Sequence, residues 1–157
     1  MQAKFMPSGP PVGTDNFGNL LREPGRVMQD LVAQEVARRG FEDLRPALLA
    51  VGQHVRADGS RVTELAELSM LTKPTVVHMV DELERLGYVE RRPDPADGRA
   101  KLVVLTGRGR EAEAAGREAI AQIHEAWTAL IGEPAMARLE ADLRTLRDAL
   151  WPPARAR

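Results

Sequence analysis

The chain has 157 residues, no cysteine, and 22 basic against 23 acidic side chains, for a net charge of −1. That length suits one domain with a single core, and the missing thiols exclude disulfides, thiolate zinc sites, iron–sulfur clusters and thiol-based redox chemistry. A polycation is excluded too, so any surface for nucleic acid must be a local patch. Apolar runs such as "ALLAV" at 47–51 are too short to span a bilayer, and the N-terminal "MQAKFMPSGPPVGT" has no continuous apolar stretch of the kind a secretory leader needs. A soluble, cytoplasmic, single-domain protein is the expectation.

Residues 1–13, rich in Pro and Gly, read as a disordered arm, and "WPPARAR" at 151–157 as a frayed tail. From Val27 the apolar positions 27, 28, 31, 32 and 36 mark one helical face that should stop at Gly40. "FGNLL" upstream reads as a further helical turn, and Pro24 with Gly25 should kink or split the two pieces, because Pro is tolerated only in a first turn. Asp43 is positioned to cap a second helix over 46–55, followed by a turn at "RADGS". "VTELAELSM" then gives a short third helix, with Thr63 as its expected cap and Glu64 in its first turn.

A fourth helix is expected over 73–86, capped by Thr72, with Pro74 in its first turn and Gly87 as its stop. Val76, Val80, Leu83 and Gly87 share one stripe at 3.6 residues per turn, which leaves Pro74, His78 and Arg85 on the opposite side with Glu82 nearby. Two short helices joined by a tight connection, the second with a polar outer face, form a helix-turn-helix. "YVERR" and "AKLVVLT" follow as strands joined by "PDPADG", whose turn chemistry makes a β-hairpin. Residues 85–110 hold seven basic and three acidic side chains, the local patch that the global charge conceals. A long helix should then run to about Ile131. A last one, opened by Glu133 and Pro134, carries Met136, Leu139, Leu143, Leu146 and Leu150 at alternating spacings of 3 and 4.

A helix-turn-helix followed by a basic hairpin is the arrangement of a winged-helix DNA reader, with one helix in the major groove and the hairpin reaching toward the adjacent minor groove. Through "VTELAELSMLTKPTVVHMVDELERLGYVERRPDPADGRAKLVVLTGRGR" the sequence resembles the MarR family of bacterial transcription regulators. The resemblance is close over 62–110, and the flanking helices follow the family's order over about 15–150. It implies a homodimeric repressor or activator whose DNA affinity is tuned by a small aromatic or amphipathic effector bound between dimerisation helices and the DNA-binding lobe. By the same resemblance, Asp97 and Arg99 match the family's D-x-R wing motif, with Arg99 in the minor groove or on phosphate and Asp97 bracing it. Thr72, Lys73, Thr75 and Val77 match the start of its recognition helix. His78 and Glu82 depart from the pattern, standing where basic residues are frequent.

The expected fold is therefore mostly α with a small β-hairpin wing. Helices at 14–42 and 107–150 would serve dimerisation around a winged helix-turn-helix lobe at 43–106, all within one domain over 14–150. The expected function is a ligand-responsive repressor that binds a pseudo-palindromic operator in double-stranded DNA as a homodimer, with 73–86 in the major groove and the wing, 91–102, at the adjacent minor groove. The alternative is a winged helix that serves as a protein-interaction module.

Lys73 sits near a helix N-terminus where a cation is disfavoured, so a phosphate is its natural partner. Pro74 and His78 lie on the outer face, and Arg92, Lys101 and Arg108 belong to the basic patch; Arg91 and Arg92 alternate across a strand, so one of the two should face DNA. Met28, His54 and Trp127 are candidates for a ligand pocket, with core packing as the competing reading. No metal site, cofactor or membrane partner is expected. "GRGREA" at 107–112 imitates a dinucleotide-binding fingerprint, but no second parallel strand follows it, and no hydrolase or phosphate-loop motif is present, so an enzyme is not expected.

Overall fold

The computed structural model describes residues 16–151; the arm read at 1–13 and the tail beyond Trp151 lie outside the described residues. The element order is α1 (Phe17–Arg38), α2 (Pro46–Gly52), α3 (Val62–Ser69), α4 (Lys73–Arg85), β1 (Val89–Asp94), β2 (Asp97–Leu105), α5 (Gly107–Ile131) and α6 (Glu133–Leu150). The chain divides into two compact units, one extending to Ile120 and the other beginning at Ala121.

In the first unit, α1 begins at Asn16, whose side chain accepts from the Asn19 N–H at 3.0 Å. Of the kink or split expected at Pro24 and Gly25, the split does not occur: α1 is a single helix with Pro24 inside it. Pro24 removes one backbone donor, but Leu20 and Leu21 just before it are exposed, so the carbonyl deprived of its partner lies where water can reach it. Gly40 ends the segment in the left-handed region at φ 95°, as its position suggested.

Two expected caps are corrected. Asp43 does not cap α2, which starts at Pro46 with Arg45 at the cap position and no side-chain cap; the Asp43 carboxylate is drawn instead to Tyr88 and Arg108. Thr63 does not cap α3: Arg61 holds that position, and its N–H donates to Glu64 Oε2 at 2.9 Å. α2 is also shorter than expected, because the His54 and Val55 N–H groups turn back to carbonyls three residues earlier. Met70 closes α3 in the left-handed region at φ 54°, the one described non-glycine residue there.

The core gathers Val36, Leu48, Val51, Leu65, Val76, Val80, Leu83, Tyr88, Val89 and Val103, and so includes Val76, Val80 and Leu83 of the stripe read from the sequence, while Gly87, its fourth member, lies exposed beyond the end of α4. β1 and β2 pair antiparallel from Val89 opposite Leu105 to Pro93 opposite Lys101, with a register shift at Pro93/Asp94. Pairing reaches further into "PDPADG" than expected, and Pro95 and Ala96 alone make the turn. Ser60 exchanges two backbone bonds with Val103, 3.0 and 2.9 Å, tying the approach to α3 onto the wing. Gly59 beside it lies at φ 98°, and a Cβ there would stand 2.9 Å from Val104, so this close approach admits glycine alone.

In the second unit, α5 ends at Gly132 in a positive-φ conformation, and Pro134 occupies the first turn of α6. Ile123 and Met136 are buried, whereas Leu139, Leu143, Leu146 and Leu150 are exposed. Among the described residues no helix is long and apolar enough to cross a membrane.

Candidate nucleic-acid interface and cavity

The outer side of the helix-turn-helix is built at the start of α4. Thr72 Oγ1 accepts from the Thr75 N–H at 3.4 Å, and the two threonine hydroxyls lie 2.7 Å apart, so both serve the cap. Lys73, Pro74, Val77 and His78 stand exposed over the next turn and a half. The acids further along are occupied by cations of the scaffold. Asp81 and Glu84 both bind the Arg91 guanidinium, the first at 2.6 Å. Glu82, an exception to the expected basic pattern, holds Arg45 Nη2 at 2.6 Å and lies 3.8 Å from Arg85, with its own side chain only 19% exposed.

Electrostatic pairing therefore sorts the basic patch into two classes. Arg85 and Arg91 are tied to α4, and Arg92, although exposed, is bound to Glu90 at 2.5 Å. Arg108 donates to both Asp43 oxygens at 2.9 Å and to the Tyr88 hydroxyl at 3.0 Å, and lies 4.7 Å over the Tyr88 ring. Arg110 donates to the Leu105 carbonyl at 2.8 Å. Lys73 at the head of α4, with Arg99 and Lys101 in the wing, makes no ion pair with another described residue. These three are the exposed cations left for an external anion.

Asp97 is exposed and accepts from the Arg99 N–H at 3.1 Å, a local bond that fixes the wing turn. The buried acid of the wing is Asp94, which sequence reading did not single out. Its Oδ2 takes Arg61 Nε at 2.9 Å and Nη2 at 2.5 Å, and its Oδ1 takes the Ala96 N–H at 2.8 Å. The Ala96 bond first, and then Arg61, hold the Asp94 carboxyl below the ordinary aspartate range. An Asp two residues before a turn N–H was the available signal; its Arg61 partner, 33 residues away, left none.

The same unit contains a cavity of about 460 Å³ whose walls include Met28 and Val32 of α1, Leu49 of α2, Tyr88, and Arg117 and Ile120 of α5. Glu113 and Arg117, paired at 2.8 Å, supply its charged edge. Met28 is thus in the wall, whereas His54 follows the lining residue Gln53 without lining the cavity itself, and Trp127 belongs to the C-terminal unit. Burial lowers the His54 pKa and favours the neutral ring. Tyr88 connects the cavity to the wing base: its hydroxyl donates to Asp43 at 2.5 Å, and its carbonyl accepts from the Thr106 N–H at 3.0 Å. Burial, and then the bond to Asp43, raise the Tyr88 pKa, while the tyrosine hydroxyl and Arg108 lower that of Asp43.

A short helix with a polar outer face, a wing braced by the buried Asp94 on the half-exposed Arg61, and unpaired cations on both define a winged helix-turn-helix protein. The MarR family model matches residues 46–100, the segment that holds α2, α3, α4 and most of the wing. Solved structures agree over nearly the whole chain. A transcriptional regulator of Thermotoga maritima is 29% identical, with 85% of this chain and 93% of that one covered and a TM-score of 0.57. CouR of Rhodococcus jostii RHA1, solved bound to p-coumaroyl-CoA, is 26% identical over 88% and 94% of the two chains, with a TM-score of 0.70. The reduced form of MarR from E. coli, 24% identical over 85% and 98%, shares the fold with a TM-score of 0.72. Comparison with curated proteins gives no match.

Proposed function

We propose that this protein is a DNA-binding transcriptional regulator, a ligand-responsive repressor that binds a pseudo-palindromic operator as a homodimer. α4 enters the major groove, the wing lies at the adjacent minor groove, and the half-sites are about 10 bp apart. The observation that carries this reading is the placement of unpaired charge: across α4 and the basic segment 85–110, the exposed cations that make neither an ion pair nor a hydrogen bond lie at the head of α4 and in the wing, where phosphates of one duplex would run. Three such cations per chain, six per dimer, correspond to a log–log salt slope of about −5.

The cavity supports the ligand response. Its volume of about 460 Å³ and mainly apolar wall suit a small amphipathic molecule, with Tyr88 and the Glu113–Arg117 pair available to its polar end. That CouR is solved with p-coumaroyl-CoA fits an effector with an aromatic, amphipathic part. A ligand against Tyr88 bears on the Tyr88–Asp43–Arg108 bonds at the base of the wing. Through them it would change DNA affinity by about 1–3 kcal/mol, and DNA would change ligand affinity equally.

The deciding experiment is a fluorescence anisotropy titration of the full chain against the DNA flanking its own gene and against random duplex, at several salt concentrations. Tight, sequence-dependent binding with the steep slope is expected. Negligible duplex binding at moderate salt would overturn this reading in favour of a protein-interaction module.

A further inference from the structure

Resting on the DNA-reading assignment above, we propose that α4 reads its half-site through a thymine methyl group, with Val77 as the specificity-determining residue. The outer face of α4 lacks most of the side chains that distinguish bases by paired hydrogen bonds. Arg and Lys read guanine, Asn and Gln read adenine, and Asp and Glu read cytosine. α4 contains no Asn and no Gln. Asp81 and Glu84 are held by Arg91, Glu82 is held by Arg45, and Arg85 stands in the last turn beside Glu82. Thr72 and Thr75 are engaged with each other in the cap.

Lys73, Pro74, Val77 and His78 remain, on the N-terminal half of the helix that a helix-turn-helix inserts most deeply. Lys73, in the first turn, is placed for a phosphate. Val77 is a β-branched apolar residue 37% exposed, with Pro74 beside it one turn back, and the turn leading into α4 adds Met70 at 77% and Leu71 at 37%. The thymine C5-methyl is the apolar group that base edges offer in the major groove. Lys73 on the same helix, with Arg99 and Lys101 in the wing, supplies the charge that would bring this apolar strip against a duplex. His78 adds a single donor for an adjacent purine N7 or O6.

The test begins with selection of duplexes from a random library by the full-length protein, followed by replacement of individual thymines in the selected half-site with deoxyuridine, which removes the methyl alone. Affinities are measured for the wild type and Val77→Ala, with circular dichroism melts to establish that this exposed substitution leaves the fold intact. One thymine per half-site should prove sensitive, its replacement costing the wild type about fourfold, the value of one buried methyl. Val77→Ala should lose affinity for the thymine duplex by a similar factor and be indifferent to deoxyuridine there. Selected duplexes whose affinity is unchanged by every such replacement, or equally sensitive in both proteins, would overturn the assignment of Val77 while leaving the DNA-reading function intact. Failure to select any sequence would overturn both.

Discussion

Gly109 sits where the start of α5 meets the chain just before β1: a Cβ on it would stand 2.0 Å from the Tyr88 carbonyl oxygen. Gly107, two residues earlier, has nothing within 4 Å of the same position. Gly109→Ala should therefore cost about 3 kcal/mol, at the upper end of overpacking penalties, and Gly107→Ala no more than about 0.5 kcal/mol, both read from urea denaturation midpoints. The second glycine of the imitated dinucleotide fingerprint is there for close backbone approach, and Thr106 Oγ1 caps the helix by accepting from the Gly109 N–H at 3.1 Å. Asp94 gives a pH prediction. Its folded pKa is depressed, so its contribution is present above the unfolded value of 3.8 and is lost as the pH falls below it through the folded pKa. Stability of the wild type should drop more steeply than that of Asp94→Asn below about pH 4; parallel acid limbs in urea titrations would contradict the Arg61–Asp94 brace.

At the scale of elements, the wing and the recognition helix divide the work of the basic patch. Arg99→Ala should weaken binding to all duplexes alike and flatten the salt slope by about 2 per dimer, since each chain loses one phosphate contact. Arg91→Ala should instead lower stability and leave the slope unchanged, because its guanidinium already holds Asp81 and Glu84. Anisotropy at four salt concentrations separates the two outcomes. The helices, the hairpin and the excess of positive charge over 85–110 were legible in sequence, because they rest on periodicity, caps and turn residues a few positions apart. Which cations are free was not legible: Arg108 is taken up by Asp43, 65 residues away, and Glu82 by Arg45, 37 residues away. That Pro24 does not split α1 was not legible for a related reason, since a proline penalty depends on whether the orphaned carbonyl meets water, which is a matter of exposure.

At the scale of the whole molecule, the leucines of α6 carry the prediction. Leu139, Leu143 and Leu146 repeat at spacings of 4 and 3 and remain 40–46% exposed in the single chain. A second chain covering this seam gives the proposed dimer. The wild type should sediment as a dimer and Leu143→Asp as a monomer. The variant should lose at least about a hundredfold in operator affinity, because two half-sites are no longer engaged together. An Asp variant that stays dimeric would place the dimer seam elsewhere.

The sequence by itself determined the order of the helices, the hairpin, the buried stripe of α4 and its Thr72 cap, since each depends on residues within one or two turns of one another. Only the tertiary structure decided that Asp94 rather than an exposed turn acid is buried against Arg61, that Tyr88 joins the cavity to Asp43 and Arg108, and that Lys73, Arg99 and Lys101 are left without acidic partners. These are meetings of residues tens of positions apart. Their energies exist only once the core has brought the elements together, so no local pattern of residue types records them in advance.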